Sequence, residues 1–202
     1  MRYTGPKARL CRREGVNLFG PEKYTKITQR RASAPGVHGS ARGKKLSEFG
    51  NQMREKQKAK RMYGVSEKQF QRYVSRATRS KSTTGNRLLQ LLELRLDNVI
   101  YRAGFARTRM QARQFVTHGH LLINGKKVDI PSIEISVGDV VSLHERIFDS
   151  PYLSDIASLQ KFAPKWLQID VKKKTITISR LPEDDELEMA IAVHRIIEFY
   201  SR

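Results

Sequence analysis

The chain has 202 residues, with 39 Lys or Arg against 20 Asp or Glu, and its formal net charge is +19. It contains no apolar run of about 18 residues and no apolar segment near its start, which argues against a membrane-spanning helix and a secretory signal. One cysteine, Cys11, excludes a disulfide framework within the chain, and the large positive charge indicates a polyanionic partner.

The positive charge is concentrated in two regions. Residues 1–90 contain 23 Lys or Arg and 5 Asp or Glu, whereas residues 91–202 contain 16 and 15. Within the second half, residues 95–127 hold a local basic cluster in which Asp97 is the one acidic residue. We therefore expect two basic surfaces, one long and one local, that bind a polyanion together.

The first 45 residues are rich in Gly, Pro, Lys and Arg and show no sustained hydrophobic periodicity. Pro21, Pro35 and Gly36 are expected to interrupt any helix in this segment. We expect an irregular basic arm that becomes ordered when it binds its partner.

Two helices are predicted after the arm. Ser47 is an N-cap candidate for a helix over Glu48–Met62, and Gly64 is suited to end it. Ser66 and Gln69 form the capping-box pattern that begins the next helix. The apolar residues of that helix recur at helical spacing and predict one buried face: Phe70, Tyr73, Val74 and Ala77.

Three further helices are predicted next. Thr84 begins a helix with too many leucines for one narrow stripe, so this helix is expected to be buried. This helix then continues, or bends, into a helical segment over Asp97–Arg102, which ends at Gly104. Thr108 begins a third helix with capping-box spacing, and Gly119 ends it.

The carboxyl-terminal part predicts short strands. Asn124-Gly125 between two short apolar runs is the strongest local signal of a β-hairpin. A second turn precedes the strand Val140–Leu143, and Trp166–Val171 and Thr175–Ser179 alternate as strands joined by a Lys-rich turn. Helices are predicted at two further places: Tyr152–Phe162 and about Met189–Tyr200.

The segment 94–143 carries the functional pattern, which is two short arginine-bearing helices followed by the hairpin. Arg109 and Arg113 are four residues apart, so they share one helix face. A guanidinium group pairs bidentately with phosphate, and A-form RNA is recognised largely through its shape and backbone. We expect the replacement of both arginines to lower RNA affinity while the stability of the free protein changes little.

Motifs along almost the whole chain carry a resemblance to a known family. Segment 94–143 resembles the S-four RNA-binding domain, and the chain resembles the bacterial and organellar S-four family of small-subunit ribosomal proteins. Each motif is weak alone, but the ordered set is specific. The motifs are Gly5-Pro6-Lys7, Arg12-Arg13-Glu14-Gly15, Ala34-Pro35-Gly36-Val37-His38-Gly39, Leu46-Ser47-Glu48-Phe49-Gly50, Gln52–Lys58, Tyr63-Gly64-Val65, Gln69-Phe70 and Glu198-Phe199-Tyr200-Ser201.

The resemblance implies an α+β fold, in which a helical domain carries an inserted S-four-type RNA-binding domain and an irregular basic amino-terminal arm. The inserted domain consists of two helices, a β-hairpin and a small antiparallel sheet. The expected division is an arm over 1–45, a helical domain over 46–90 plus 186–202, and the RNA-binding domain over 91–185. The last helix is expected to return and complete the core of the helical domain.

The resemblance also implies a function without enzymatic activity or cofactors. Family members are structural constituents of the small ribosomal subunit in the cytoplasm. They bind ribosomal RNA directly, at a helix junction of the 5′ domain, early in assembly. They line the messenger-RNA entry channel and contact neighbouring proteins including S-five at an interface tied to decoding accuracy. Some repress their own translation.

Two sets of RNA-contacting residues follow from the resemblance. Three basic residues match those near the messenger-RNA path: Arg42, Lys44 and Lys45. The arm, the helices at 54–72 and the 95–127 cluster match ribosomal-RNA contacts, with these residues: Arg2, Lys7, Arg12, Arg13, His38, Arg54, Lys56, Lys58, Lys60, Arg61, Tyr63, Arg72, Arg95, Arg102, Arg107, Arg109, Arg113, His118, His120, Lys126 and Lys127.

Two features of the sequence argue against a zinc site and against catalysis. Some family members bind zinc through four cysteines in the arm, but here Cys11 stands alone and Ala8 occupies the place of its partner, so no metal is expected. Arg95-Leu96-Asp97 also surrounds the catalytic aspartate of one class of pseudouridine synthases. The chain lacks the length for such a catalytic domain, so Asp97 is expected to pair with an arginine or to cap a turn.

The same RNA-binding module also occurs in proteins of a different class. The second hypothesis is an RNA-modifying or ribosome-rescue protein that carries this module, and a DNA-binding regulator is a weaker third.

Several single side chains have open or simple expectations. His118 and His120 fit two roles equally well, which are contact with a phosphate or ribose and plain packing. Phe70 is expected in the core, whereas Tyr63, beside a glycine, is expected to be more open. Lys172–Lys174 is expected to be a solvated turn.

Overall fold

The computed structural model describes residues 3–39, 46–148 and 163–201. The chain divides into two compact units, the first formed by Met1–Gly85 with Met189–Arg202 and the second by Asn86–Glu188. No helix in these described ranges is both long and apolar enough to cross a membrane. The helix expected at Tyr152–Phe162 lies outside the described residues.

The helices begin largely where the capping signals place them. The side chains of Ser47, Ser66 and Thr108 each accept a hydrogen bond from the backbone N–H three residues later, which confirms these residues as N-caps. The last helix begins at Val193 and not near Met189. The α-helices in the described ranges are α1 (Lys7–Glu14), α2 (Glu22–Arg30), α3 (Glu48–Tyr63), α4 (Glu67–Thr78), α5 (Thr84–Glu93), α6 (Leu96–Arg102), α7 (Arg109–Thr117) and α8 (Val193–Tyr200).

Short antiparallel strands form one sheet in the second unit. Asn124 and Gly125 both have positive φ, at 49° and 79°, which is the backbone that a tight hairpin turn requires. The sheet confirms the predicted hairpin and the three predicted strands that follow it. In spatial order β2-β1-β3-β5-β4, the strands are β1 (Leu121–Ile123), β2 (Lys126–Val128), β3 (Val140–Leu143), β4 (Leu167–Asp170) and β5 (Thr175–Ile178).

One face of this sheet supplies the core of the second unit. Leu121 pairs with Leu143 across β1 and β3, and Val141 pairs with Ile176 across β3 and β5, so these buried side chains share one face. Apolar residues of α6 and α7 belong to the same buried cluster. The observed α+β fold, with its small antiparallel sheet, confirms the predicted fold class.

The carboxyl-terminal helix completes the core of the first unit, as expected. The rings of Phe49 on α3 and Phe199 on α8 lie 5.5 Å apart, and the Gln52 side-chain amide donates to Glu198 at 3.0 Å. Ile196 is fully buried, as is Phe70 on α4. Chain segments that are far apart in the sequence therefore share one core.

The prediction of an irregular arm is wrong, because α1 and α2 lie within it. Pro21, expected to break a helix, stands at the N-cap of α2, where its missing N–H costs no helical hydrogen bond. The segment is held by polar contacts as well as by buried Cys11. The Arg12 guanidinium donates to the carbonyls of Ser33 and Ala34 at 3.1 and 3.4 Å. Such contacts leave no periodicity in the sequence.

Candidate nucleic-acid interface

The second unit brings its arginines together around buried carboxylates. The Glu93 side chain is 1% exposed, and its two oxygens accept hydrogen bonds from Arg102 at 2.8 and 2.7 Å. The Asn98 amide donates to the same carboxylate at 2.7 Å. Glu188 accepts from both Arg102 and Arg109 at 3.2 Å. Each guanidinium is thereby fixed in position before any ligand binds.

Arg109 contacts an amide, a carboxylate and an aromatic ring in this network. Its Nε donates to the buried Asn98 Oδ1 at 2.7 Å, and its guanidinium lies 4.5 Å from the centre of the Tyr101 ring. The side chain is 13% exposed, whereas that of Arg113 on the same helix is 33% exposed. The two arginines therefore differ. The contacts of Arg109 argue against the expectation that replacing both leaves the stability of the free protein little changed, because Arg109 is structural as well as basic.

Asp97 pairs with arginines, as the sequence interpretation preferred. Arg95 Nε and Nη2 donate to its two carboxylate oxygens at 3.0 and 2.7 Å, and Arg113 donates at 3.2 Å. Arg95 itself is 1% exposed. The prediction that Arg95 belongs to an exposed ribosomal-RNA face is therefore wrong, because its guanidinium is buried against Asp97.

Basic and imidazole groups extend this surface toward the hairpin. Lys126 and Lys127 are exposed on the edge strand β2. The rings of His118 and His120 lie 5.8 Å apart. Partial burial lowers the pKa of His120, and the charges of neighbouring His118, His144 and Lys127 lower it further. At neutral pH His120 is therefore a neutral hydrogen-bonding group beside a positively charged strand.

The first unit carries a second basic surface, on α1 and α3. Arg13 and His38 are exposed, and Arg54 and Arg61 are each about one-quarter exposed. Arg72 is exposed on α4. The remaining predicted contacts in this unit that are partly exposed are Lys7, Arg12, Lys58 and Lys60.

Two predicted contacts of the first unit are buried. Lys56 is 7% exposed, donates to Glu67 at 2.9 Å and lies 4.2 Å from the centre of the Phe199 ring. Tyr63 is 3% exposed, so the prediction that this side chain is open is wrong. Both side chains lie on the face of α3 that packs inside the unit. The predicted contacts that lie outside the described residues are Arg2, Arg42, Lys44 and Lys45.

Sequence reasoning missed three groups that organise these surfaces. Glu14, 1% exposed, joins Arg54 and Arg61, and Glu188 joins two arginines of the second unit. Neither carboxylate stands near its partners in the sequence. Arg9 is exposed one helical turn before Arg13, and that i, i+4 spacing could have identified it.

The described residues contain no group of three or more His, Cys, Asp or Glu side chains arranged to bind a metal ion. Cys11 is fully buried, and burial raises the pKa of its thiol. A buried thiol of this kind packs as a small apolar group.

Comparison with known proteins covers the whole chain. Residues 2–93 match the family described as ribosomal protein S4/S9 N-terminal domain, and residues 94–141 match the S4 domain. The chain is 52% identical over 206 residues to small ribosomal subunit protein uS4 of Desulfitobacterium hafniense, covering 100% of this chain and 99% of that protein. It is 50% identical over 207 residues to the uS4 protein of Heliobacterium modesticaldum, with the same coverage.

Proposed function

Because the chain belongs to the uS4 family of small ribosomal subunit proteins, we propose that it binds ribosomal RNA at a helix junction of the 5′ domain, early in subunit assembly. The family consists of structural ribosomal proteins and not of enzymes. This membership supports binding of ribosomal RNA through an RNA-binding domain. The place of that function is the small ribosomal subunit, which lies in the cytoplasm in bacteria.

The observation that carries the proposal is the set of arginines held by buried carboxylates in the second unit. Glu93 and Asp97, at 1% and 6% side-chain exposure, orient Arg102 and Arg113 before RNA arrives. Little side-chain entropy is then lost on binding. Such a rigid basic face suits RNA, whose A-form helices are recognised by shape and backbone.

The mechanism is electrostatic replacement of counterions. Each basic group that contacts a phosphate releases condensed cations, which makes the affinity depend steeply on salt. Contacts to phosphates position the RNA helices, so a protein with two basic surfaces holds converging helices in one arrangement. The proposed ribosomal-RNA contacts are those predicted residues that are exposed or partly exposed in the structure. Lys56, Tyr63 and Arg95 are left out because they are buried. Arg2 is kept on the grounds of the sequence alone.

Further roles are proposed from family membership. Arg42, Lys44 and Lys45 contact messenger RNA at the entry channel. S-five and other neighbouring proteins meet the chain at an interface that affects decoding accuracy, and binding to messenger RNA represses translation of the protein itself. Functionally, 1–45 acts as a basic limb, 46–90 with 186–202 as the helical domain and 91–185 as the RNA-binding domain.

The experiment is binding to a transcript of the 5′ domain of small-subunit ribosomal RNA across a salt series. We expect specific binding whose logarithmic affinity falls by about 0.7–0.9 per logarithmic unit of salt for each phosphate contacted. Equal affinity for an unrelated DNA duplex would contradict the proposal.

Matched lysine pairs sharpen this experiment. Lys126→Gln with Lys127→Gln removes two exposed charges from the hairpin, and Lys172→Gln with Lys173→Gln removes two exposed charges from the β4–β5 turn. The first pair is expected to weaken binding and reduce the salt slope by about 1.4–1.8 in total. The second is expected to change neither, and equal effects of both pairs would refute the assigned surface.

A further inference from the structure

A concave cavity of about 760 Å³ lies within the first unit. Its size falls within the range of pockets that enclose small organic ligands. It is formed by α1, α3 and the segments that flank them, and its lining residues are Tyr3, Arg9, Leu10, Arg13, Ala34, Leu46, Arg54 and Arg61. We name it the arginine cavity.

The walls of the arginine cavity carry a surplus of positive charge. Four of its lining residues are arginines. Arg54 and Arg61 share the buried carboxylate of Glu14, with Arg54 Nη1 at 3.2 Å from Oε1. Arg9 and Arg13 are exposed on successive turns of α1, and neither has an acidic partner among the described residues. The cavity thus favours a ligand with more than one negative charge.

The same cavity also has apolar lining residues, which a bare anion would not contact. The Tyr3 side chain is 45% exposed and its hydroxyl donates to the Pro6 carbonyl at 3.3 Å, which tethers the ring end. Leu46 is 54% exposed, and Leu10 is a further apolar lining residue. An exposed ring beside arginines is the combination by which proteins bind an unstacked base together with its phosphates.

We propose that the arginine cavity receives one unstacked nucleotide of a single-stranded RNA segment. The phosphates on either side of that nucleotide bind Arg9 and Arg13, and its base packs against Tyr3 and Leu46. A duplex presents stacked, paired bases and a convex backbone, so it cannot fill a cavity of this size. The inference rests on the proposed function and adds to it a subsite for unpaired RNA.

The test compares two probes on the full-length protein, a single-stranded RNA pentamer of adenosines and a 12-base-pair RNA duplex. The informative variants are Tyr3→Ser and the double replacement of Arg9 and Arg13 by Gln. The control replaces Lys68 and Lys81 by Gln, which removes the same charge from exposed positions of the same unit. Circular dichroism verifies that every variant is folded.

We expect Tyr3→Ser to weaken pentamer binding about tenfold, as loss of one stacking platform does, and to leave duplex binding unchanged. Tyr3→Phe keeps the ring and is expected to keep the affinity. The arginine variant is expected to lose more pentamer affinity than the lysine control. Ultraviolet crosslinking of the pentamer is expected to label the peptide that contains Tyr3.

Several outcomes overturn the inference. One is equal loss for the arginine variant and the lysine control, and another is an unchanged pentamer affinity in Tyr3→Ser. Competition by inorganic pyrophosphate as strong as that by the pentamer would reduce the site to an anion site. Adenosine monophosphate binding as tightly as the pentamer would assign it to free nucleotides. Binding of the 5′-domain transcript is measured separately, so failure of the proposed function is distinguishable from failure of the subsite.

Discussion

Replacing Arg109 by Ala is expected to destabilise the free protein as well as to weaken RNA binding. In the second unit, Arg109 Nε donates to Asn98 Oδ1 at 2.7 Å, and Asn98 is 1% exposed. The guanidinium also lies over the Tyr101 ring and pairs with Glu188. Removing it leaves a buried amide oxygen without this donor and a partly buried carboxylate with one fewer partner.

The magnitude follows from these three contacts. The unpaired Asn98 oxygen costs about 1–3 kcal/mol, the contact with the Tyr101 ring about 0.5–1 kcal/mol, and the partly exposed ion pair up to about 1 kcal/mol. Because such terms share atoms and do not add fully, we expect a loss of about 2–4 kcal/mol in the free energy of unfolding.

Arg113→Ala is the matched control, since it removes the same side chain from the same helix. The Arg113 side chain is 33% exposed, and Asp97 keeps its bond from Arg95, so the expected loss is no more than about 1 kcal/mol. Urea unfolding followed by the fluorescence of Trp166 measures both variants, because this single, fully buried tryptophan lies in the same unit. A loss below about 1 kcal/mol for Arg109→Ala, or equal losses for both, would refute the reasoning.

The remaining predictions concern buried or paired ionisable groups. Asp97→Asn breaks the buried ion pair with Arg95 and is expected to cost about 3–5 kcal/mol in urea unfolding, whereas the exposed Asp129→Asn is expected to cost less than about 0.5 kcal/mol. Burial alone would raise the pKa of Glu67, but hydrogen bonds from Lys60, Lys56 and Tyr200 lower it from 4.5 to about 2. Its stabilising contribution is therefore present above pH 4.5 and lost as the pH falls toward 2, so Glu67→Gln is expected to flatten the acid side of the stability curve measured by thermal unfolding. Cys11 is expected to react with a thiol reagent slowly in the folded protein and rapidly in urea; rapid reaction without urea would show that this thiol is accessible.

Local signals in the sequence determined the elements that local physics controls. Ser47, Ser66 and Thr108 cap helices because the first N–H groups of a helix have no carbonyl partner within it. A side-chain oxygen just before the first turn accepts a hydrogen bond from one of them. Asn124-Gly125 makes the hairpin because few other residue pairs adopt positive φ at low cost. These features depend on neighbours within a few residues, so one sequence suffices to predict them.

The tertiary structure alone decided which basic residues are available to a ligand. Glu14 reaches Arg54 and Arg61, and Glu188 reaches Arg102 and Arg109, across separations in the chain that no periodicity encodes. The order in residues 3–39 has the same origin, since it comes from polar contacts such as those of Arg12 and from the buried side chains of Cys11 and Leu18. Charge composition by itself determined that the partner is a polyanion. Long-range pairing and burial determined that the Arg95 side chain is enclosed while Arg102 and Arg113 are oriented by buried carboxylates and keep part of the side chain at the surface, because leaving a buried carboxylate unpaired is costly.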